Sequence, residues 1–137
     1  MSKAEPTIQK YMTYQPHAIE ASESVETAQK MMAELKIRHL PVMNGSIIVG
    51  MISDRDIRMA LSFVGSEPKK LTVRNISHEH PYEVHPDSPL REVVEEMASK
   101  RYGSAIVVQN GKLVGIFTTV DALKALSNIL QTRYHEH

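Results

Sequence analysis

Two short stretches of this chain place a hydroxyl and a carboxylate three residues apart, each behind a glycine. The first is Gly50-Met51-Ile52-Ser53 followed by Asp56; the second is Gly115-Ile116-Phe117-Thr118 followed by Asp121. Ser-x-x-Asp and Thr-x-x-Asp have the form of a capping box, in which hydroxyl and acid satisfy orphan N–H groups at a helix start. For a single occurrence that structural reading is sufficient, because capping boxes are generic. Three features add a ligand-binding reading. The pattern occurs twice at corresponding places. The glycine removes a side chain where a flat ring could approach the strand. The motif opens at a helix N-terminus, where free N–H groups and the dipole favour an anion. A carboxylate there can accept from both hydroxyls of a ribose, as the acid of dinucleotide folds does, and serine or threonine adds a hydroxyl for phosphate or sugar. That chemistry suits a nucleotide.

The elements that must position these groups are themselves duplicated. At an offset of 65 residues Thr7 meets Thr72, Pro16 meets Pro81, Met32 meets Met97, Val42 meets Val107, and Ala60-Leu61-Ser62 meets Ala125-Leu126-Ser127, with a one-residue slip at the central turn. The period exceeds that of common solenoid repeats, so two copies are expected to form one pseudo-symmetric domain with two related clefts. In the first copy Ile8 to Met12 reads as a short helical lead-in and Ala18 to Glu20 as extended. Ser24 then caps a helix over Val25 to Lys36, with Val25, Ala28, Met32 and Leu35 at helical spacing. Leu40 to Met43 and Ile47 to Ile52 flank Asn44-Gly45, a hairpin signal because both residues tolerate positive φ. A helix follows over Asp54 to Phe63.

In the second copy Tyr82 to His85 is extended, and Ser88 caps a helix with Pro89 at its first position, running over Leu90 to Arg101. Ala105 to Gln109 and Lys112 to Phe117 flank Asn110-Gly111, and a last helix spans Thr119 to Leu130. Val64 to Leu71 is the linker. Each copy is thus β-α-β-β-α, an α/β (α+β) unit with a right-handed parallel crossover and an added antiparallel strand. A three-stranded sheet with helices on one face leaves the other face bare, and the two copies are expected to cover each other there.

Composition narrows the function classes. The chain has 137 residues, 42% apolar and 23% charged, with a formal net charge of zero and no cysteine. It is long enough for one domain with a substantial core. Zero net charge gives no electrostatic pointer to nucleic acid or an acidic membrane. The lack of cysteine removes disulfides, thiolate catalysis and thiolate zinc sites, and is compatible with a reducing compartment. No apolar run approaches the roughly 18 residues of a membrane span, and Met1 to Pro16 lacks the apolar core of a signal peptide. A cytoplasmic protein is expected.

The chain resembles tandem cystathionine-β-synthase (CBS) domains paired as a Bateman module, from about Thr7 to Leu130. The residues that carry the resemblance are Tyr11-Met12-Thr13, Ile37-Arg38-His39-Leu40-Pro41-Val42 and Gly50-Met51-Ile52-Ser53-Asp54-Arg55-Asp56. In the second copy they are His85-Pro86-Asp87-Ser88, Asn110-Gly111-Lys112-Leu113-Val114-Gly115, and Thr118 with Asp121. Their order in both copies is specific. It implies repeats at 7–63 and 72–130 joined by a linker at 64–71, packed through their sheets. Between the repeats it implies clefts for an adenosine-containing regulatory ligand: AMP, ADP, ATP or S-adenosylmethionine.

The resemblance also implies roles. Ser53, Asp56, Thr118 and Asp121 contact phosphate or ribose. Adenine is bracketed by Thr13 and Ile19 in copy one; His78 and Val84 match in copy two, where His78 departs from the pattern. Arg38, His39 and Arg55 are nucleotide-binding positions, the first two facing phosphate. Gly103, Ser104 and Val120 stand at their second-copy counterparts, so two unequal sites are expected, with charge met mostly by first-copy side chains. Relatives pair into a four-repeat disc, which implies a homodimer through 57–63 and 122–130, with apolar surface at Met59, Leu61, Leu123, Leu126, Ile129 and Leu130.

No nucleophile–base pair, metal cage or Walker-type loop is present, so no enzyme is expected and no cofactor is required. Output must pass to a separate effector protein. The alternative is a non-catalytic dimerisation scaffold with vestigial clefts; a nucleotide hydrolase ranks third, lacking a candidate base. His78, His80 and His85 lack a metal-site framework. His135 and His137 sit in a tail expected to fray. Lys69, Lys70 and Arg74 read as a solvated linker patch, Glu95-Glu96 as a solvated face, and Met31, Met32, Met43, Met51, Met59 and Met97 mostly as core filler, with Met51 also a candidate for the adenine slot.

Overall fold

The apolar periodicities resolve, in a computed structural model that describes residues 4–14, 17–64 and 67–134, into two matching sets of elements. Pro16, Gly65, His135 and His137 lie outside the described residues. The first set is α1 (Ile8–Tyr11), β1 (Thr13–Tyr14), β2 (Ile19–Glu20), α2 (Val25–Leu35), β3 (His39–Asn44), β4 (Ile47–Ser53) and α3 (Asp54–Val64). The second is α4 (Val73–Ile76), β5 (Glu83–Val84), α5 (Leu90–Lys100), β6 (Ser104–Gln109), β7 (Lys112–Thr118) and α6 (Thr119–Tyr134). Among the described residues no helix is long and apolar enough to cross a membrane.

These elements form two compact units that do not follow the repeats along the chain. One is Pro16–Pro81; the other joins Met1–Gln15 to Tyr82–His137. Each repeat's lead-in segment therefore packs in the unit built by the other repeat.

In Pro16–Pro81 the sheet order is β2-β3-β4, with β2 parallel to β3 at Ile19↔Val42 and β3 antiparallel to β4. Ser24 caps α2 by accepting from the Thr27 N–H at 3.1 Å, and the helix ends where Lys36 turns left-handed at φ 56°. Val25, Ala28 and Met32, one face at helical spacing, pack on Leu40, Val42, Ile52 and Ile57. Val73 of α4, fully buried, completes this core, and backbone bonds from Val25 N to Leu71 O and from Val73 N to Glu23 O, both 2.8 Å, hold α4 in place.

In the other unit the sheet has four strands, β1-β7-β6-β5. The expected three gain β1 because its backbone pairs antiparallel with β7, Thr13 opposite Ile116. Ile8 and Met12 from the same lead-in enter the core with Leu90, Val93, Met97, Val107 and Phe117. Ile8 N donates to Ser88 O and Leu90 N to Pro6 O, at 2.9 and 3.0 Å, and Arg91 pairs with Glu5.

Three local expectations change. Asn110 and Gly111 both adopt positive φ, 54° and 74°, but in copy one only Gly45 does, at 63°; that turn falls on Gly45-Ser46 and Asn44 ends β3. Ser88 does not cap α5. Pro89 takes the cap position, and the Ser88 hydroxyl accepts from the His85 N–H at 2.9 Å instead. Leu61 and Ile129 pack against their own cores, so the apolar surface of α3 and α6 consists of Met59, Phe63, Val120, Leu123, Leu126, Leu130 and Tyr134.

Candidate functional site

Both Ser/Thr-x-x-Asp motifs fold as capping boxes, as their spacing predicts. At the start of α3, Asp56 N donates to Ser53 Oγ at 3.1 Å, and Asp56 Oδ2 accepts from Ser53 N at 3.0 Å and from its hydroxyl at 2.8 Å. At the start of α6, Asp121 N donates to Thr118 Oγ1 at 3.3 Å, and Asp121 Oδ2 accepts from Thr118 N at 2.9 Å and Oγ1 at 3.1 Å. One carboxylate oxygen of each acid is thus committed to its helix.

The other oxygen faces a side chain from the lead-in segment. In Pro16–Pro81, Asp56 Oδ1 lies 2.9 Å from His78 Nε2. In the second unit, Asp121 Oδ1 accepts from Thr13 Oγ1 at 3.2 Å, with Oδ2 at 3.4 Å. Thr13 and His78 are themselves 65 residues apart. The structure therefore gathers Ser53, Asp56, Arg38, His39, Arg55 and Ile19 with His78, and gathers Thr118, Asp121 and Val84 with Thr13. Thr13 and Ile19, matched to one adenine site by resemblance, belong to different units.

The glycines before the motifs carry a different job from the expected one. A Cβ on Gly50 would sit 2.5 Å from the His78 carbonyl oxygen, and one on Gly115 would sit 2.8 Å from Met12 Sδ and 2.9 Å from the Thr13 carbonyl. The space is taken by the chain itself rather than left for a ring. The approach is fixed by backbone bonds: Met51 N to His78 O at 3.0 Å and His78 N to Met51 O at 2.9 Å. Glycine in a strand does mark a close approach, and here the approaching group is the lead-in that brings the acid its partner.

Burial and charge differ between the two clusters. Asp121 is 8% exposed, while the Asp56 side chain is 18% and the His78 side chain 70% exposed. His39 pairs with Ser53 across β3 and β4 and is half-buried. Burial holds its imidazole below the ordinary value of 6.5, the nearby Asp56 carboxylate pulls it back up, and Arg38 lowers it further. At neutral pH His39 is thus a neutral hydrogen-bonding group, and the cations near Asp56 are the exposed Arg38 and Arg55. Near Asp121 the corresponding positions hold Gly103, Ser104 and Val120, which carry no charge.

Ile19 is 4% exposed and lies in the core of Pro16–Pro81, so its side chain is committed to packing. Val84 sits on edge strand β5 and lines a hollow of about 400 Å³ with Tyr82, His85 and Glu92. A second hollow, about 380 Å³, is lined by Asn44, Arg74, Ser77 and Glu79. Neither contains the motif acids, which are marked by donors and charge rather than by concavity. Among the described residues no group of three or more His, Asp or Glu is arranged to hold a metal ion. Sequence reasoning missed His78 as the partner of Asp56. Its offset from Thr13 was the available signal, but the contact depends on where the lead-in folds.

Comparison with known proteins places this arrangement. A CBS domain family model matches residues 8–63 and 73–128. Inosine-5'-monophosphate dehydrogenase of Korarchaeum cryptofilum is 29% identical over 137 residues, 99% of this chain. The chain spans only 28% of that protein's length and 36% of another curated relative's. A protein from Vibrio cholerae assigned to acetoin utilization (AcuB) superposes with a TM-score of 0.85 at 25% identity, covering 98% of this chain and 99% of that one. CBSX2 of Arabidopsis thaliana, solved in complex with AMP, superposes with a TM-score of 0.78 at 27% identity, covering 90% of this chain and 98% of that one.

Proposed function

The chain belongs to the CBS-domain family, and from that premise we propose that it is a regulatory module binding an adenosine-containing ligand: AMP, ADP, ATP or S-adenosylmethionine. The observation that carries the reading is the duplicated acid with divided oxygens. Oδ2 of Asp56 and of Asp121 is held by cap donors, so the carboxylate is already oriented. Oδ1 is met by one exchangeable side-chain hydrogen bond, from His78 or from Thr13. A ribose diol that replaces that side chain gains a fixed acceptor beside a helix N-terminus, without first ordering it. Arg38 and Arg55 supply charge for phosphate at the Asp56 motif, with His39 as a neutral donor. Ser53 and Thr118 orient the acids, Val84 offers apolar surface, and Ile19 contributes through its backbone, its side chain being packed. The AMP bound by CBSX2 supports the ligand class.

In this reading the chain performs no catalysis, acts in the cytoplasm as a homodimer, and passes ligand occupancy to a separate effector protein. Isothermal titration of AMP, ADP, ATP and S-adenosylmethionine tests it, with Asp56→Ala and Asp121→Ala assayed separately. Loss of an acid that accepts two ribose hydroxyls costs about 1.5–3 kcal/mol, roughly ten- to a hundredfold in affinity. Unchanged affinity in both folded variants overturns the ribose assignment. The second reading, a dimerisation scaffold with vestigial ligand sites, draws on the exposed apolar residues of α3 and α6. A parent protein that binds none of the four ligands selects it.

A further inference from the structure

We infer that His78 is a specificity-determining residue: it makes the Asp56 site select adenosine compounds that carry a phosphate, while Thr13, its counterpart, leaves the Asp121 site open to uncharged ones. The inference rests on the ligand-binding reading above and adds a rule for each site.

The argument starts from the two partners of the free carboxylate oxygens. Thr13 offers Asp121 a neutral hydroxyl at 3.2 Å. His78 offers Asp56 an imidazole nitrogen at 2.9 Å, a group that becomes charged within the physiological range and then forms an ion pair with the acid. Charge-assisted hydrogen bonds are roughly twice as strong as neutral ones. A ribose diol therefore meets a stronger competitor at Asp56 than at Asp121. For adenosine that competition is a pure penalty. For AMP the displaced imidazole is itself a donor for the phosphate, so much of the penalty returns as a new contact.

The backbone allows this exchange. Residue 78 is pinned by its paired bonds to Met51 and by the close seat of its carbonyl over Gly50. Its side chain is 70% exposed, and Asp56 is its only hydrogen-bond partner among the described residues. It can swing away without disturbing the bridge. The other charged groups around Asp56 are consistent with the same preference. Arg38 and Arg55 are exposed cations, Asp54 is engaged with Arg58 at 3.2 Å, and burial holds His39 neutral. Around Asp121, Gly103, Ser104 and Val120 provide nothing to bind a phosphate charge.

The test is a titration of the full chain with adenosine and with AMP, read by amide chemical shifts at Ser53–Asp56 and at Thr118–Asp121, so that each site reports separately. In the parent, AMP outcompetes adenosine at Ser53–Asp56. In His78→Thr, which places the counterpart residue on the same backbone, adenosine tightens there, AMP weakens, and the AMP-to-adenosine affinity ratio falls by about tenfold, the difference between a charge-assisted and a neutral hydrogen bond. The ratio at Thr118–Asp121 stays constant. His78→Gln, which keeps a donor without a charge, gives the same direction and guards against a folding defect in the threonine variant. A ratio at Ser53–Asp56 that ignores both substitutions, in a protein that binds both ligands, overturns the role of His78 alone. A parent that binds neither ligand overturns the ligand-binding reading and this inference with it.

Discussion

Asp56 and Asp121 each serve two purposes with one carboxylate, and the division falls atom by atom. Oδ2 terminates a helix and Oδ1 is available for exchange. His39 illustrates how burial reassigns a residue that looks charged in sequence. Because its folded-state value lies below 6.5, with burial the largest cause, the folded chain binds fewer protons there than the unfolded chain. Stability then rises with pH wherever the unfolded state binds more protons. The penalty is absent well above pH 6.5. It grows as pH falls below 6.5, where the unfolded imidazole charges and the folded one resists, and it stops growing below the folded value. The urea midpoint of the parent should therefore drop on acidification below pH 6.5 more steeply than that of His39→Gln. Parallel midpoints in the two proteins would show that burial exerts no such hold on His39.

At the scale of elements, the decisive feature is that α1 and β1 build the unit of the second repeat, while α4 and His78 build that of the first. Ile8 is fully buried among Leu90, Val93 and Phe117. Ile8→Ala removes that packing and leaves a cavity, at a cost of about 2–5 kcal/mol. The damage should appear as faster hydrogen exchange in β6 and β7, with β3 and β4 retaining their protection, although Ile8 lies in the first repeat by sequence. Exchange that accelerates first in β3 and β4 would contradict the exchanged lead-ins. This arrangement was the least legible part of the fold. Helices α2 and α5, the hairpins and both capping boxes rest on local periodicity and spacing, and the sequence places them within a residue or two. The pairing of Thr13 with Ile116 joins segments a hundred residues apart and has no local signature. Gly50 and Gly115 did signal close approach; what approaches, a ring or the chain, depends on that long-range pairing. The shifted turn at Gly45-Ser46 and the idle cap at Ser88 are smaller failures of the same kind, where neighbouring residues compete for one role.

At the scale of the whole molecule, the proposed sensor needs a route from the motif acids to a surface that a partner can read. Asp56 and Asp121 lie in the first turns of α3 and α6. Further along these helices apolar side chains are exposed: Phe63 at 85% and Leu123 at 65%, with Met59, Leu126, Leu130 and Tyr134 beside them. On α6 they recur every three or four residues and so form one stripe. Large apolar side chains grouped in this way mark interaction surfaces more often than isolated ones do, and the proposed occupant is a second copy of the chain. Sedimentation velocity at micromolar concentration should give a dimer, and a joint Phe63→Glu, Leu126→Glu variant should shift it to monomer by placing charges in the contact. A parent that sediments as a monomer removes the dimer. Ligand enters this equilibrium only through its differential affinity for two arrangements of the helices, tenfold for each 1.4 kcal/mol or so. If the diol displaces His78 or Thr13 and orders the helix start, saturating AMP should slow hydrogen exchange in the first turns of α3 and α6 and extend that protection towards Phe63 and Leu130. A dimer whose α3 and α6 exchange identically with and without saturating AMP has no mechanical link between its acids and its surface, and the scaffold reading then describes the chain better than the sensor.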